Sequence, residues 1–120
     1  MKTQSAKAKG RRLQQWTRDQ VLESYPTLTE DDVRSTGMGQ SGADLQLSTA
    51  AKELFPFEVE CKNQERLNLW NSFEQCEQNA CDREPMLVVK RNGCAPLVVV
   101  DAEWLFERLP NLNFKKGTKV

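Results

Sequence analysis

The segment FPFEVECKN, residues 55–63, decides how the rest of this sequence is interpreted. After the break at Pro56, apolar and polar residues alternate, which is the period of a β-strand with one face in the core. The other face carries three charged residues, Glu58, Glu60 and Lys62. The residues expected in the core are Phe57, Val59 and Cys61. The segment therefore predicts a half-buried strand that presents two acids and a lysine side by side.

Shorter predicted elements precede this strand. Residues 13–24 have the spacing of an amphipathic helix, and Pro26 ends it because the residue before a proline avoids helical angles. Residues 33–36 and 44–48 are predicted to be short strands, and residues 48–54 a short helix with a serine or threonine cap. The residues of the first helix expected to face inward are Leu13, Trp16 and Leu22.

A helix, two apolar strands and a last helix are predicted after the central segment. The helix has an apolar residue every three positions and a polar side with Ser72, Gln75 and Gln78. Residues 86–89 and 97–100 are apolar on both faces, as in central strands that are covered from each side. Asp101 is expected to cap the last helix, residues 102–109. The apolar stripe of the first of these helices is Leu67, Trp70, Phe73 and Cys76. This order predicts an α/β fold with a mixed sheet flanked by helices.

Length and composition indicate a single globular domain. The chain has 120 residues, of which 38% are hydrophobic and 28% charged, and its formal net charge is zero. We expect a disordered basic arm at residues 1–10, the folded domain at 11–110 and a basic tail at 111–120. The longest apolar run, residues 95–100, is too short to span a bilayer, and no export signal is recognisable. A cytoplasmic protein is expected, in the host cell if a phage encodes it.

The cysteines and the absence of histidine exclude several kinds of chemistry. Cys61, Cys76, Cys81 and Cys94 include no CxxC pair, and no histidine could complete a zinc site. We therefore expect four free thiols and no structural zinc. Catalysis by Ser-His-Asp or Cys-His groups is excluded, so carboxylates and lysine must carry any hydrolysis.

Asp44, Glu60 and Lys62 form the candidate catalytic group. Two carboxylates can hold a hard cation near a phosphodiester if their strands are neighbours. The strand period places Lys62 beside Glu60, about 7 Å along the chain, where its ammonium can stabilise developing negative charge. The main-chain carbonyl of Cys61 is expected to be a further oxygen ligand. Taken alone, Glu-x-Lys is a weak signal, because the pattern more often marks a solvated strand face with an adjacent ion pair.

Four segments together resemble the PD-(D/E)XK nuclease superfamily, most closely its small phage-type members related to archaeal Holliday-junction resolvases. The segments are GQSGADLQLS (residues 39–48), FPFEVECKN (55–63), LNLWNSFEQCEQNA (67–80) and EPMLVVKRNGCAPLVVV (84–100). The resemblance implies a restriction-endonuclease-like fold in which Asp44 and Glu60 bind Mg²⁺ and Lys62 assists the attacking water. Mn²⁺ is expected to substitute for Mg²⁺.

The sequence departs from the family pattern at two positions. Ala43 stands where the motif has proline before the aspartate. Gln15 stands on the first helix where resolvases usually have a glutamate, which favours a one-metal mechanism and leaves a helix-surface glutamine as the alternative; Glu23 is the other candidate there. Gln75 occupies the place of a helix glutamine often found near the site of the family.

The expected activity is a metal-dependent DNA endonuclease with a preference for branched DNA, working as a homodimer in recombination or packaging. Separated cations would contact the DNA backbone without reading sequence. The residues expected at the DNA are Arg11, Arg12, Arg34, Ser41, Lys90 and Arg91. The alternatives are a DNA-binding module that has lost turnover and a nuclease subunit of a larger phage assembly.

Overall fold

The fold combines four α-helices with two small β-sheets. The computed structural model describes residues 2–37 and 43–112, and side chains from residue 5 onward. The first half contains α1 (Lys2–Ser24), β1 (Val33–Ser35), β2 (Leu45–Leu47), α2 (Thr49–Leu54) and β3 (Phe57–Asn63). The second half contains α3 (Leu69–Ala80), β4 (Glu84–Lys90), β5 (Leu97–Val99), α4 (Ala102–Arg108) and a 3₁₀ turn (Leu109–Asn111). The predicted α/β class and the order of elements are confirmed.

The strand that carries Glu60 lies at one edge of a mixed sheet. β3 pairs in parallel with β4, and β5 pairs antiparallel on the other side of β4. β1 and β2 form a separate antiparallel pair. The Asp44 N–H, just before β2, donates to the carbonyl of Val59 at 2.9 Å. This bond brings the start of β2 against the free edge of β3.

Helices cover the two faces of this sheet. On one face, α1 packs Leu13, Thr17 and Val21 against β3, and the Cys61 thiol contacts the Thr17 hydroxyl at 3.6 Å. These α1 positions recur every four residues and so form one stripe. On the other face, α3 buries Cys76, whose sulfur lies 3.9 Å from the Glu58 carbonyl oxygen. The face that carries Glu58 and Glu60 is therefore partly covered by α3.

The expected caps are present, and an aromatic row holds α4 in place. Ser48 accepts a hydrogen bond from the Ala51 N–H, and Asp101 accepts one from the Trp104 N–H. Four aromatic rings meet edge to face in the order Tyr25, Phe55, Phe57 and Trp104. Because α4 is capped at one end and its indole contacts β3, this short helix docks on the α1 side of the sheet.

The prediction of a disordered arm at residues 1–10 is wrong for the part that the structure describes. α1 already begins at Lys2, and residue 1 lies outside the described part. The side-chain amide of Asn63 donates to the Lys9 carbonyl at 3.2 Å, which holds the N-terminal half of α1 at the end of β3. The basic tail was expected at 111–120, of which only 111 and 112 are described.

Two tryptophans expected to face the core are exposed. Trp16 retains 42% of its accessible surface and Trp70 retains 82%. In α3 the buried residues are Ser72, Cys76 and Ala80, at a spacing of four rather than three. Ser72 therefore packs inward, although the sequence placed it on the polar side. The helix therefore contacts the sheet along a narrow stripe of small side chains, and the large side chain of Trp70 is left exposed to solvent.

The expectation that residues 97–100 form a central strand is also wrong. β5 is only three residues long and is the last strand of its sheet within the described residues. Leu97 and Val98 are more than half exposed, whereas Leu87 and Val88 on β4 are buried. Among the strands of the described residues, only β4 has a strand on each side and is buried on both faces. Within residues 2–37 and 43–112, no helix combines the length and apolarity needed to cross a membrane.

Leu87→Ala should destabilise the fold far more than Leu97→Ala. Leu87 is fully buried, so the substitution leaves a cavity and should lower the free energy of unfolding by about 2–5 kcal/mol. Leu97 is 67% exposed, so its truncation should cost less than about 1 kcal/mol. Urea unfolding followed by circular dichroism measures both. Equal losses in the two variants would contradict the placement of β4 at the sheet centre.

Candidate active site

Asp44 is held against β3 by two hydrogen bonds that lie on either side of Glu60. Its N–H donates to the carbonyl of Val59, and its Oδ2 accepts from the N–H of Cys61 at 2.6 Å. Because the partners of Asp44 are the residues before and after Glu60, the two carboxyl groups are brought into one place. The expectation that their strands are neighbours at this point is confirmed.

A threonine that the sequence did not single out supports Asp44 from the other side. The Thr36 N–H donates to the Asp44 carbonyl at 2.8 Å, and its hydroxyl donates to the Ala43 carbonyl. Thr36 is buried. Its role depends on pairing between backbone segments, so no local motif could have revealed it. Thr36 fixes the backbone on which Asp44 stands.

Glu60 and Asp44 interact electrostatically within a half-buried environment. Burial raises the pKa of Glu60 above its ordinary value, and the negative charge of Asp44 raises it further. Burial also raises the pKa of Asp44, although the hydrogen bond from Cys61 and the charge of Lys62 oppose the increase. Two carboxylates that resist ionisation side by side are stabilised by a nearby cation.

Lys62 supplies one positive charge to both carboxyl groups. Its ammonium lowers the pKa of Asp44 and of Glu60. Lys62 follows Glu60 by two strand positions, so both side chains leave β3 on the same face. The three residues predicted to form the catalytic group therefore interact with one another in the folded chain.

The backbone of Cys61 offers a further oxygen on the same side as Asp44. Within a β-strand the N–H and C=O of one residue point to the same side. Since the Cys61 N–H is bonded to Asp44, its carbonyl also faces the edge that Asp44 occupies. The side chain points the other way, into the core, where burial raises the pKa of the Cys61 thiol to about 12. Only the main chain of Cys61 can serve the site.

The donor set fits a hard cation with a small number of protein ligands. Asp44, Glu60 and the Cys61 carbonyl all offer oxygen, which Mg²⁺ prefers. Within residues 2–37 and 43–112, no group of three or more histidine, cysteine, aspartate or glutamate side chains could hold a metal. Mg²⁺ does not require such a group, because it keeps several water molecules and is held by one or two carboxylates.

Glu58 lies on the same strand face but is occupied by an arginine. Its carboxylate is 3.7 Å from Nε of Arg83, which also donates to the Phe57 carbonyl at 3.3 Å. Burial raises the pKa of Glu58, and the charge of Arg83 opposes this increase. Arg83 therefore pairs with Glu58, although the charge of Glu58 still makes a small contribution to the raised pKa of Glu60.

The expected place of Gln15 at the metal site is not supported by its position. Gln15 is exposed and lies about 200° around α1 from Leu13, on the side away from the stripe that packs on β3. Glu23, the other first-helix candidate, is exposed too. Gln14, one position before Gln15, is instead buried, with 8% of its surface exposed. The rotation of α1 about its own axis therefore determines that Gln14 is buried and Gln15 is exposed.

Asn79 is the α3 side chain that interacts with Glu60. Its amide lowers the pKa of Glu60. Gln75, the residue proposed from sequence, is exposed and lies one turn earlier on the same side of α3. Because α3 connects two parallel strands, it runs antiparallel to β3. Gln75 therefore lies about 5.4 Å from Asn79 along the helix axis, toward the end of β3 that carries Lys62. Its catalytic role stays a prediction.

The cations proposed to contact DNA are divided between two regions. Arg12 and Lys90 line one cavity, together with Lys9. Arg11 and Arg91, the sequence neighbours of Arg12 and Lys90, are exposed. Arg34 lies on β1 and forms an ion pair with Asp31 at 3.3 Å. Ser41 lies outside the described residues. The structure thus brings together Arg12 and Lys90, which are far apart in the chain.

The cysteines take no part in a disulfide. Cys61 and Cys76 are buried, whereas Cys81 and Cys94 are exposed. Burial raises the pKa of the Cys76 thiol to about 12, the same value as for Cys61. Thiolate chemistry at the two buried positions is therefore suppressed near neutral pH.

Asp44→Asn and Asp32→Asn should change stability in opposite directions in metal-free buffer. The pKa of Asp44 is raised, so its ionisation disfavours the folded state, and an asparagine oxygen still accepts from Cys61. The pKa of Asp32 is lowered by hydrogen bonds from Thr29 and Ser48, so its ionised form favours the folded state. At pH 7 the first variant should equal or exceed the wild type in melting temperature, and the second should fall below it.

Both differences should shrink as the pH is lowered below about 4, because both carboxyl groups then become protonated. Thermal melts at several pH values measure this. A loss of stability in Asp44→Asn as large as that in Asp32→Asn would contradict the conclusion that ionisation of Asp44 disfavours the folded state.

Comparisons with known proteins leave the geometry of this site as the basis for assigning a function. No protein-family model matches the chain, and neither the curated proteins nor the solved structures include a significant match to it.

Proposed function

We propose that this chain is a Mg²⁺-dependent endodeoxyribonuclease, a phosphodiester hydrolase of the PD-(D/E)XK class with a restriction-endonuclease-like fold. The observation that carries the proposal is the hydrogen bond from the Cys61 N–H to the Asp44 carboxylate, beside Glu60 and Lys62. Two half-buried carboxylates, those of Asp44 and Glu60, lie close together beside the Lys62 ammonium. This arrangement suits hydrolysis of a phosphodiester without histidine.

Asp44, Glu60 and the Cys61 carbonyl would hold the metal ion. When bound, Mg²⁺ or Mn²⁺ supplies positive charge to the scissile phosphate and lowers the pKa of water. Lys62 stabilises the negative charge that develops on the phosphate oxygens and orients the attacking water. Thr36 and the Cys61 N–H keep Asp44 in place, and Asn79 lowers the pKa of Glu60. The protein groups are thus positioned before substrate arrives.

The elements of the chain support the proposed fold. A helix, a strand pair, a strand with the Glu-x-Lys sequence, a crossover helix and a parallel strand follow in that order. Helices lie on both faces of the mixed sheet. The proposed substrate is branched DNA and the proposed working unit a homodimer, because a small domain with dispersed cations contacts backbone and shape rather than base edges.

A DNA-binding module with little turnover is the second candidate. It is favoured by the small number of acids at the site and by the exposed position of Gln15. A nuclease subunit of a larger phage assembly would have the same site. Cleavage by the isolated chain distinguishes the first proposal from a module without turnover.

Asp44→Asn, Glu60→Gln and Lys62→Ala should each lower the cleavage rate by about a hundredfold or more, comparable to the loss of one preorganised charge-stabilising group. Glu58→Gln is the matched control, because Glu58 shares the strand face but is paired with Arg83. The assay compares linear, flapped and four-way DNA with and without Mg²⁺. Full activity in any of the three variants, or no cleavage of any substrate by the wild type, would refute the assignment.

Mg²⁺ affinity should fall as the pH is lowered from about 7 to about 5. Metal binding requires ionised carboxylates, and the pKa values of Asp44 and Glu60 are both raised, so protons compete with the metal above the usual carboxyl range. Isothermal titration calorimetry without DNA measures this affinity. Glu58→Gln should keep it, and Glu60→Gln should lose most of it. An affinity independent of pH in this interval would contradict metal binding by these two groups.

A further inference from the structure

A cavity lies between the N-terminal half of α1 and the ends of β3 and β4. Its volume is about 330 Å³. The residues that line it are Lys9, Arg12, Leu13, Trp16, Asn63, Lys90, Asn92 and Pro96. They come from three separate parts of the chain, so the cavity exists only in the folded protein.

The lining is positively charged. Lys9, Arg12 and Lys90 contribute three cations, and no acidic residue lines the cavity. Glu65 is the acid nearby in the fold, and its carboxylate accepts a hydrogen bond from the Asn92 N–H at 2.6 Å. That bond holds the loop after β4 and places Asn92 at the cavity. Because cations and no acid line the cavity, it suits an anionic ligand, and phosphate is the anion that lysine and arginine most often bind in this way. The Lys90 ammonium also donates to the Arg91 carbonyl at 3.2 Å.

Trp16 adds an aromatic surface next to these cations. Its indole is 42% exposed and lies four residues after Arg12, on the same side of α1. Aromatic side chains beside cations are the typical lining of sites that bind single-stranded nucleic acid, in which bases stack on the ring and phosphates contact the cations.

We propose that this cavity binds one unpaired nucleotide of single-stranded DNA. The base stacks on Trp16, and the flanking phosphates contact Lys9, Arg12 and Lys90. The cavity volume suits a ligand of this size. The proposal deepens the nuclease assignment, on which it rests for its biological use, because it names the class of DNA that the enzyme selects.

The position of the cavity relative to the catalytic group explains this selection. Asn63 follows Glu60 by three residues, which is about 10 Å along β3. An odd separation places the two side chains on opposite faces of the strand. A DNA strand that leaves the duplex at Asp44 and Glu60 can therefore pass the end of β3 and reach the cavity. Flapped DNA has such a strand, whereas blunt duplex and a fully paired four-way junction do not.

The test measures binding without cleavage. Fluorescence anisotropy in EDTA compares a labelled single-stranded DNA oligonucleotide, a blunt duplex and flapped DNA. Trp16→Ala should weaken single-strand binding by roughly 5- to 150-fold, the usual effect of losing one stacking platform. Trp70→Ala is the matched control, because Trp70 is exposed on α3 outside the cavity. Trp16→Phe should restore most of the affinity by restoring an aromatic face.

The exposed cation Arg12 provides a test that does not depend on α1 packing. Arg12→Ala should reduce the slope of log affinity against log salt by about 0.7 for the single strand. Unchanged single-strand binding in both Trp16→Ala and Arg12→Ala would overturn the proposal. Equal weakening by Trp16→Ala and Trp70→Ala, or tighter binding of an RNA oligonucleotide of the same length, would overturn it as well.

Failure of the nuclease assignment can be recognised separately. Asp44→Asn should keep the Trp16-dependent binding of single-stranded DNA, because Asp44 does not line the cavity. If the wild type cleaves nothing but retains this binding, the nuclease proposal fails and the nucleotide site stands. If it cleaves flapped and blunt DNA equally and Trp16→Ala changes neither binding nor rate, the nucleotide site fails and the nuclease stands.

Discussion

The hydrogen bond from the Cys61 N–H to the Asp44 carboxylate is the contact on which the candidate site depends. A strand at the edge of a sheet leaves backbone groups without partners, and β3 would be such an edge beyond Val59. Asp44 satisfies that edge twice, with its N–H on Val59 and its side chain on Cys61. The same contacts join the β1–β2 pair to the larger sheet and place one acid next to Glu60. The two hydrogen bonds of Asp44 therefore connect the sheets and also position the candidate catalytic carboxylate.

The acids of this chain differ in what surrounds them. Asp32 accepts hydrogen bonds from Thr29 and Ser48, and the pKa of its carboxyl group is lowered, so its charge supports the loop. Glu58 has a guanidinium beside it. For Asp44 and Glu60, burial instead raises the pKa of each carboxyl group, and the charge of Asp44 raises the pKa of Glu60 further. Groups that are unfavourable for the fold in this way are typical of functional sites, where a ligand supplies the missing charge.

The first helix combines two roles because its faces are divided. Leu13 and Thr17 pack against β3, and Asn63 ties the Lys9 backbone to the strand end. With the helix held in this way, the neighbouring face extends Arg12 and Trp16 over the cavity beside Lys90. The end of β3 thus contributes to both places. The strand carries Glu60 on one face, and Asn63 on the opposite face lines the cavity.

The sequence by itself determined the elements, their order, the Ser48 and Asp101 caps and the position of Lys62 beside Glu60, because alternation, caps and prolines act over a few residues. That Asp44 lies beside this pair was decided by its backbone contacts with Val59 and Cys61. Only the tertiary structure decided which side of each helix is buried. As a result Trp16 and Trp70 are exposed, and of two adjacent glutamines Gln14 is buried and Gln15 is exposed. It also assigned Thr36 and Asn79 to the site. Helix phase and backbone pairing depend on the opposing surface, which lies far away in the chain.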